Sequence, residues 1–272
     1  MRLIPGAVIL VGLALLAPST TAAAATSSTT AGLEYVALGD SYSAGYGLLP
    51  LSPTSPATGC YQAEVDYPHL VATALGLDLD DRSCAGAVTA NIRDTPQVTG
   101  SGTAPVQSDA LSASTDIVTV TIGGNDLQTV RGENWPETLV RCITSAGCDS
   151  SEKNQIANLE QMRSDLTAVY TTIGAQYPDI TVRVLGYPRL MQSDRWCEGV
   201  TGFGRGEADW VDAQVDRLKE VISSAVGTAS MAGTTGAAGI SSAAKCWPSG
   251  GAYTVSRPSS TTRPSSSRIC QA

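Results

Sequence analysis

The chain has 272 residues, of which 17 are basic and 25 acidic, for a formal net charge of −8. This acidic balance makes nucleic acid and anionic membrane surfaces poor partners, because both repel negative charge. The length is enough for one α/β domain that buries about 70–75% of its unfolded surface. No residue pattern implies a nucleotide, a metal or an organic cofactor, and we expect a monomer.

The first twenty-five residues have the pattern of a secretory signal peptide. Arg2 precedes an apolar stretch, Ile4 to Ala17, and small residues at 21–25 offer a cleavage site. The apolar stretch is shorter than the roughly 20 residues that span a bilayer. We therefore expect residues 1–25 to be removed and the mature chain to be soluble and secreted.

Three predicted strands each end in a turn that contains glycine. The turns are Gly39-Asp40-Ser41 after Tyr35–Leu38, Cys84–Ala87 after Leu77–Ser83, and Gly123–Asp126 after Asp116–Ile122. In open parallel sheets, ligands bind just beyond the carboxyl ends of the strands. Ser41, Gly86 and Asn125 offer a hydroxyl, a backbone N–H without a Cβ nearby, and a side-chain amide, which acyl transfer requires. The competing interpretation of Ser41 is a serine in a polar surface turn.

The stretches GDSYSAGYG (Gly39 to Gly47), SCAGA around Gly86 and IGGND (Ile122 to Asp126) resemble blocks I, II and III of the SGNH, or GDSL, hydrolases. The likeness is greatest to the secreted actinobacterial lipases and esterases. It covers roughly Glu34 to Val226 and includes Gly186-Tyr187-Pro188. The resemblance implies a flavodoxin-like α/β/α sandwich with a parallel sheet of about five strands. It also implies that Ser41 is the nucleophile, and that the Ser41 N–H, the Gly86 N–H and the Asn125 side chain form the oxyanion hole.

The fourth block of that family is not found. Its members carry their general base, a His usually followed by Pro, near the C-terminus, whereas the one His of this chain is His69. As a base, His69 has to come within hydrogen-bond reach of Ser41. The family usually has another residue at this position, so we expect a structural histidine.

Seven cysteines in an exported chain imply disulfides, with one cysteine left over. Spacing alone does not fix their connectivity. By resemblance to the three-disulfide pattern of the actinobacterial lipases, the expected pairs are Cys60–Cys84, Cys142–Cys148 and Cys197–Cys246, with Cys270 unpaired. A metal site is the competing interpretation, but the chain has no Cys-x-x-Cys pair and only one His.

The remaining elements alternate between helix and strand, which favours a parallel sheet with helices on both faces. Predicted helices are Tyr67–Leu75, closed by Gly76; Ser151–Tyr177, the longest; and Glu207–Val226. Ile180–Leu185 is a fourth strand. Residues 45–59 are predicted as a loop, and Trp135–Ser150 as a disulfide-pinned insertion near the cleft.

Residues 227–272 differ in composition from the rest of the chain. They contain no acidic residue, ten of the 46 are Ser, and no apolar run is long enough for a strand. We expect the low-complexity stretch 257–268 to be disordered or extended, and the last strand of the sheet to be missing. Two explanations stay open: an out-of-frame C-terminus, which we favour, and a genuine linker or wall-spanning tail.

The expected organisation is a signal peptide (1–25), an SGNH hydrolase domain (31–226) and an atypical tail (227–272). The expected function is a secreted serine esterase or lipase that hydrolyses lipid or small-molecule esters through an acyl-enzyme on Ser41, with little activity because the base is absent. One alternative is a catalytically dead, exported lipid- or glycan-binding protein. Another is an esterase for carbohydrate acetyl esters.

Overall fold

A computed structural model describes residues 30–144, 154–189, 191, 204–232, 239–242 and 252–256. Its main sheet has six strands in the order β2-β1-β5-β6-β8-β7. The strands are β1 (Glu34–Gly39), β2 (Asp78–Asp81), β5 (Thr115–Thr121), β6 (Thr181–Leu185), β7 (Gly239–Ser242) and β8 (Ala252–Ser256), and a separate pair is formed by β3 (Gln97–Val98) and β4 (Thr103–Ala104). β2, β1, β5 and β6 run parallel, as predicted for this fold class.

Helices lie between the strands on both faces of the sheet. They are α1 (Ser41–Ala44), α2 (Ser55–Thr58), α3 (Tyr67–Leu75), α4 (Thr89–Arg93), α5 (Trp135–Thr144), α6 (Leu159–Gln176) and α7 (Arg205–Ala232). Short 3₁₀ turns occupy Gln107–Ala110 and Gly124–Asp126. Across the described residues, no helix combines the length and the apolarity needed to cross a membrane.

The alternation of side chains along β1 creates two hydrophobic cores. Val36 and Leu38 join the larger core, which contains the buried faces of β5, β6, α6 and α7. Tyr35 and Ala37 point the other way and pack with Ala72 of α3 in a smaller core. Because successive strand residues face opposite sides, β1 is covered on both faces, and the domain is an α/β/α sandwich.

The predicted start of α6 is wrong. Within residues 155–158, the backbone is not helical and pairs instead with the segment around Thr129. Val130 N donates to Gln155 O at 2.8 Å, and Ala157 N donates to Gln128 O at 2.8 Å. These bonds satisfy the backbone outside a helix, so the helix begins at Leu159 and Ile156 belongs to the pairing segment.

Two other helices also differ from prediction. Trp135–Thr144 forms the helix α5 in what we predicted as an insertion, and Pro136 fits there because a proline is tolerated in the first turn. α7 extends to Ala232 and is longer than α6, so Ser151–Tyr177 is not the longest helix. Residues 145–153 and 192–203 lie outside the described part of the chain.

The prediction of a tail without strands is also wrong. β8 pairs antiparallel with β6, and β7 pairs antiparallel with β8. Antiparallel pairing is made by backbone groups, so it does not require the apolar run that we looked for in the sequence. The edge of β6 is therefore covered by β8, while residues 257–272 lie outside the described part.

Of the expected disulfides, Cys60–Cys84 is present. Cys142 is disulfide-bonded as well, and its partner is not among the described residues. The predicted partner Cys148 and the predicted pair Cys197–Cys246 both involve residues outside the described part, as does Cys270.

Candidate active site

Ser41 lies at the carboxyl end of β1 and is the first residue of α1. Two residues before it, Gly39 adopts φ +147°, and a Cβ there would collide with the Thr121 carbonyl of the neighbouring strand. Asp40 then caps α1, and its Oδ1 accepts a hydrogen bond from Tyr42 N at 3.0 Å. The predicted turn is therefore a short capped helix that leaves Ser41 half-buried at the sheet edge.

A network of buried hydrogen bonds lies behind Ser41. The Tyr187 hydroxyl donates to Asp40 Oδ2 and accepts from Gly124 N at 2.9 Å. Burial raises the pKa of Asp40 to about 7, although the bonds from Tyr187 and Tyr42 N oppose that shift. Burial, and then the charge of Asp40, raise the pKa of Tyr187, which keeps its proton as a donor. Tyr187 thus ties the Ser41 turn to the turn after β5.

Asn125 lies in the 3₁₀ turn that follows β5, and its side chain points toward the Gly86 turn. Asn125 Nδ2 donates to Ala87 O at 2.9 Å. Next to it, Asp126 accepts from Thr89 N at 3.1 Å and from Thr89 Oγ1 at 2.7 Å, which fixes the start of α4. Burial raises the pKa of Asp126. The two turns are therefore joined by side-chain hydrogen bonds from Asn125 and from Asp126.

Gly86 is exposed and adopts φ +82°. The nearest atom to a Cβ built there would be Gln97 Nε2 at 3.6 Å, so the backbone angle, and not lack of space, favours glycine. The preceding residue is held by two bonds: Ala85 N donates to Cys60 O at 2.9 Å, and Gln97 Nε2 donates to Ala85 O at 2.8 Å. The disulfide at Cys84 adds a covalent tether.

A cavity of about 200 Å³ opens beside Ser41. Its lining residues are Asp40, Ser41, Tyr42, Gly124, Asn125, Trp135, Pro136, Leu139, Tyr187, Val215 and Leu218. One wall is polar, and the apolar wall comes from α5 and α7. The structure thus brings Ser41 and Asn125 to one cavity, whereas Gly86 is not in the lining set and is linked to it through the bond from Asn125 to Ala87.

His69 does not take part in this cavity. Its Nδ1 lies 2.7 Å from Asp66 Oδ1, and its backbone N donates to the same oxygen at 2.9 Å. Within the described residues, His69 neither lines the cavity nor bonds to Ser41. The arrangement around Ser41 offers a hydroxyl and an amide donor without a histidine to accept the hydroxyl proton.

Sequence reasoning missed several residues of the site. Asp40 belongs to the motif that contains Ser41, and Tyr187 belongs to Gly186-Tyr187-Pro188, but neither motif indicates a role for these side chains. Val215 and Leu218 lie in the predicted helix Glu207–Val226, where they are buried, but nothing in the sequence indicates that they also line the cavity. The Tyr-Pro pair after a strand was the available signal for Tyr187.

A family model and the relatives that resemble this chain in sequence both point to lipases. The family model for the GDSL-like lipase/acylhydrolase family matches residues 37–233. Lipase 2 of Streptomyces coelicolor is 35% identical over 217 residues, which cover 75% of this chain and 70% of that protein.

Two crystal structures share the fold. Phospholipase A1 from Streptomyces albidoflavus NA297 is 30% identical, with a TM-score of 0.60, and the extracellular lipase from Streptomyces rimosus is 27% identical, with a TM-score of 0.59. Each match covers 73% of this chain and 77% of the other. The chain belongs to the GDSL-like lipase/acylhydrolase family and is, by that membership, a carboxylic ester hydrolase.

Proposed function

We propose that this chain is a secreted esterase for short acyl chains whose turnover is low because the general base is missing. The observation that carries the proposal is the shared cavity, in which the Ser41 hydroxyl and the Asn125 amide lie beside an apolar wall. In this proposal Ser41 attacks the ester carbonyl. Asn125, with the N–H groups of Ser41 and Gly86, stabilises the negative oxygen of the tetrahedral intermediate.

The size of the cavity supports a short acyl chain. Its volume of about 200 Å³ is below the roughly 300–1,000 Å³ of pockets that hold drug-sized ligands. The apolar wall formed by Trp135, Leu139 and Leu218 suits the hydrocarbon, and the polar wall suits the carbonyl. Export is part of the proposal and is supported by the pattern of residues 1–25 and by the extracellular lipase among the similar structures.

The missing base sets the expected rate. A serine without a base keeps an ordinary hydroxyl and is a weak nucleophile. In subtilisin, loss of the histidine alone costs about 10⁶ in turnover, and the rest of the site retains roughly 10³–10⁴ over water. We therefore expect slow hydrolysis that depends on Ser41.

The test is hydrolysis of p-nitrophenyl acetate and decanoate by the mature protein and by the variants Ser41→Ala and Ser101→Ala. Ser101 is the control, because it is exposed and does not line the cavity. We expect slow turnover of the acetate, at least about tenfold lower in Ser41→Ala and unchanged in Ser101→Ala. On prolonged incubation a fluorophosphonate probe should label Ser41 slowly, because the hydroxyl is not activated by a base, and mass spectrometry of the tryptic peptide detects the adduct. Equal rates in all three proteins, with no labelling, would refute hydrolysis.

A second candidate is a catalytically inactive protein that binds lipid. It is favoured by one observation, that His69 is held by Asp66 away from the intact cavity. Displacement of a fluorescent fatty acid in both the wild type and Ser41→Ala, without turnover in either, is the result that supports it.

We also propose that the missing base reflects an out-of-frame C-terminus. The family match ends at residue 233, close to the point where acidic residues cease. The coding sequence after codon 226 tests this: another frame should encode a strand followed by His-Pro, and the absence of such a frame contradicts the proposal.

A further inference from the structure

A cluster of metal-binding residue types lies away from the cavity, between α3 and β2. Asp66 is the N-cap of α3, His69 lies in the first turn of that helix, and Asp81 is the last residue of β2. One potential ligand atom from each of the three lies within 4.8 Å of the other two. None of these residues lines the cavity beside Ser41.

Each of the two carboxylates uses one oxygen and leaves the other unpaired. Oδ1 of Asp66 meets the backbone N and Nδ1 of His69, while its Oδ2 is buried and has no partner among the described residues. The Asp66 side chain is fully buried. Oδ1 of Asp81 accepts from Ser83 N at 3.0 Å and Ser83 Oγ at 2.6 Å, and its Oδ2 is likewise buried and unpaired.

The surrounding hydroxyls do not satisfy these oxygens. The Tyr67 hydroxyl, in the next residue after Asp66, bonds to Ser43, Thr119 and Thr121 at 3.2–3.3 Å. The Gln62 amide donates to the backbone oxygen of Asp81, at 2.7 Å, and not to its carboxylate. A buried carboxylate oxygen without a donor is costly, and two of them near one imidazole call for a cation.

We propose that Asp66, His69 and Asp81 bind one divalent transition-metal ion, of which Zn²⁺ fits the donor set best. Imidazole nitrogen together with carboxylate oxygen is a ligand set that Zn²⁺ takes, with a fourth position left for water. Ca²⁺ and Mg²⁺ select oxygen ligands alone and fit less well. In this assignment the unpaired Oδ2 atoms of Asp66 and Asp81 and one nitrogen of His69 are the ligands.

The site needs a modest contraction to close on the ion. Tetrahedral Zn²⁺ with bonds of about 2.1 Å holds its ligand atoms about 3.4 Å apart. The His69 side chain is 31% exposed, so it is the ligand that can shift and the side from which the ion enters. Asp66 is fixed by its capping bond and supplies the rigid part of the site.

Such an ion would join the start of α3 to the end of β2. Asp66 also packs against Gly45, the C-cap of α1, where an added Cβ would lie 2.7 Å from Asp66 Cβ. The ion therefore stabilises the segment that carries Ser41 without entering its cavity. Binding to the folded chain alone raises stability in proportion to the logarithm of the ion concentration.

The experiment uses the mature, EDTA-treated protein and titrates it with ZnCl₂, CaCl₂ and MgCl₂, followed by calorimetry and thermal unfolding. We expect one equivalent of Zn²⁺ to bind and to raise Tm, with EDTA reversing the effect. Asp81→Asn, which is nearly isosteric, and His69→Ala should each weaken binding at least tenfold. Asp78→Asn, on the exposed end of the same strand, should bind as the wild type does.

Three results overturn the proposal. The first is no binding of Zn²⁺ at millimolar concentration, which leaves a proton shared by the two carboxylates as the explanation. The second is equal weakening by Asp78→Asn, which means adventitious surface binding. The third is Ca²⁺ binding more tightly than Zn²⁺ through Asp81. If Asp81→Asn fails to fold, the partly exposed His69→Ala decides between these outcomes, and no readout depends on esterase activity.

Discussion

At the scale of single residues, the Tyr187 hydroxyl holds together two of the turns around Ser41, since it donates to Asp40 and accepts from Gly124 N. Tyr187→Phe removes both bonds and leaves a buried N–H and a buried carboxyl oxygen without this partner. We expect the free energy of unfolding to fall by about 1–3 kcal/mol, measured by urea denaturation. Tyr46→Phe is the control, because Tyr46 is 63% exposed, and it should stay within about 0.5 kcal/mol. An equal loss in both variants contradicts the role of Tyr187.

Asp40 gives the stability a defined dependence on pH. Burial raises its pKa from 3.8 to about 7, so between these values the folded chain holds a proton that the unfolded chain has released. The stability that Asp40 contributes is fully present below about pH 4 and is lost as the pH rises through 7. A difference of about 3 pKa units corresponds to about 4 kcal/mol.

Asp40→Asn cannot titrate, and the free energy of unfolding of this variant should fall less than that of the wild type between pH 5 and 8. Urea denaturation at both pH values measures the difference. Some slope remains in the variant, because Asp126 is also a buried carboxyl with a raised pKa. An unchanged slope shows that Asp40 does not carry the dependence.

At the scale of elements, β1 and β5 and the turns after them could be predicted because each combines a β-branched or apolar run with an abrupt glycine. α3 could be predicted from its proline in the first turn and its glycine cap. The start of α6 could not, because Ile156 fits the apolar spacing of the helix while its backbone pairs with Thr129. Local periodicity does not reveal a competing partner that is distant in sequence.

The candidate site also has a part that the sequence predicts and a part that depends on how the helices pack. The sequence motifs identify Ser41, Gly86 and Asn125 directly. The apolar wall from α5 and α7 depends on how two helices pack, and the contact between Trp135 and Trp210, with ring centroids 5.8 Å apart, is not encoded in any local pattern. The cluster of Asp66, His69 and Asp81 has no motif spacing, so the sequence did not imply a metal.

The Cys60–Cys84 disulfide fixes the Gly86 turn to the loop that follows α2. Both cysteines are buried, and the bond closes a loop with a sequence separation of 24. Replacing both with Ala should lower the free energy of unfolding by about 3 kcal/mol, because the unfolded chain regains the entropy of that loop. Chemical denaturation of the double variant measures this. A loss below about 1 kcal/mol shows that the turn is held by its hydrogen bonds alone.

At the scale of the whole molecule, the tail adds strands to the sheet that are joined to it and to each other by antiparallel pairing. Two short segments of the tail form β7 and β8, which extend the parallel sheet with two antiparallel strands. The β6 edge is thereby covered at the side where an open edge invites pairing with another chain. An out-of-frame tail remains compatible with this, since backbone groups make the ladder and do not select side chains.

Whether β8 protects the edge of β6 can be tested with one proline substitution. Thr254 pairs with Arg183 of β6 and with Ser241 of β7 and lies in the middle of β8. Thr254→Pro removes a ladder N–H from a strand with neighbours on both sides, where proline is not tolerated. We expect β8 to detach and the protein to form concentration-dependent oligomers through the freed β6 edge, measured by sedimentation velocity. Thr254→Val keeps the N–H and nearly the same shape, so it should sediment as the wild type does. Self-association in both variants, or in neither, means that β8 does not protect that edge.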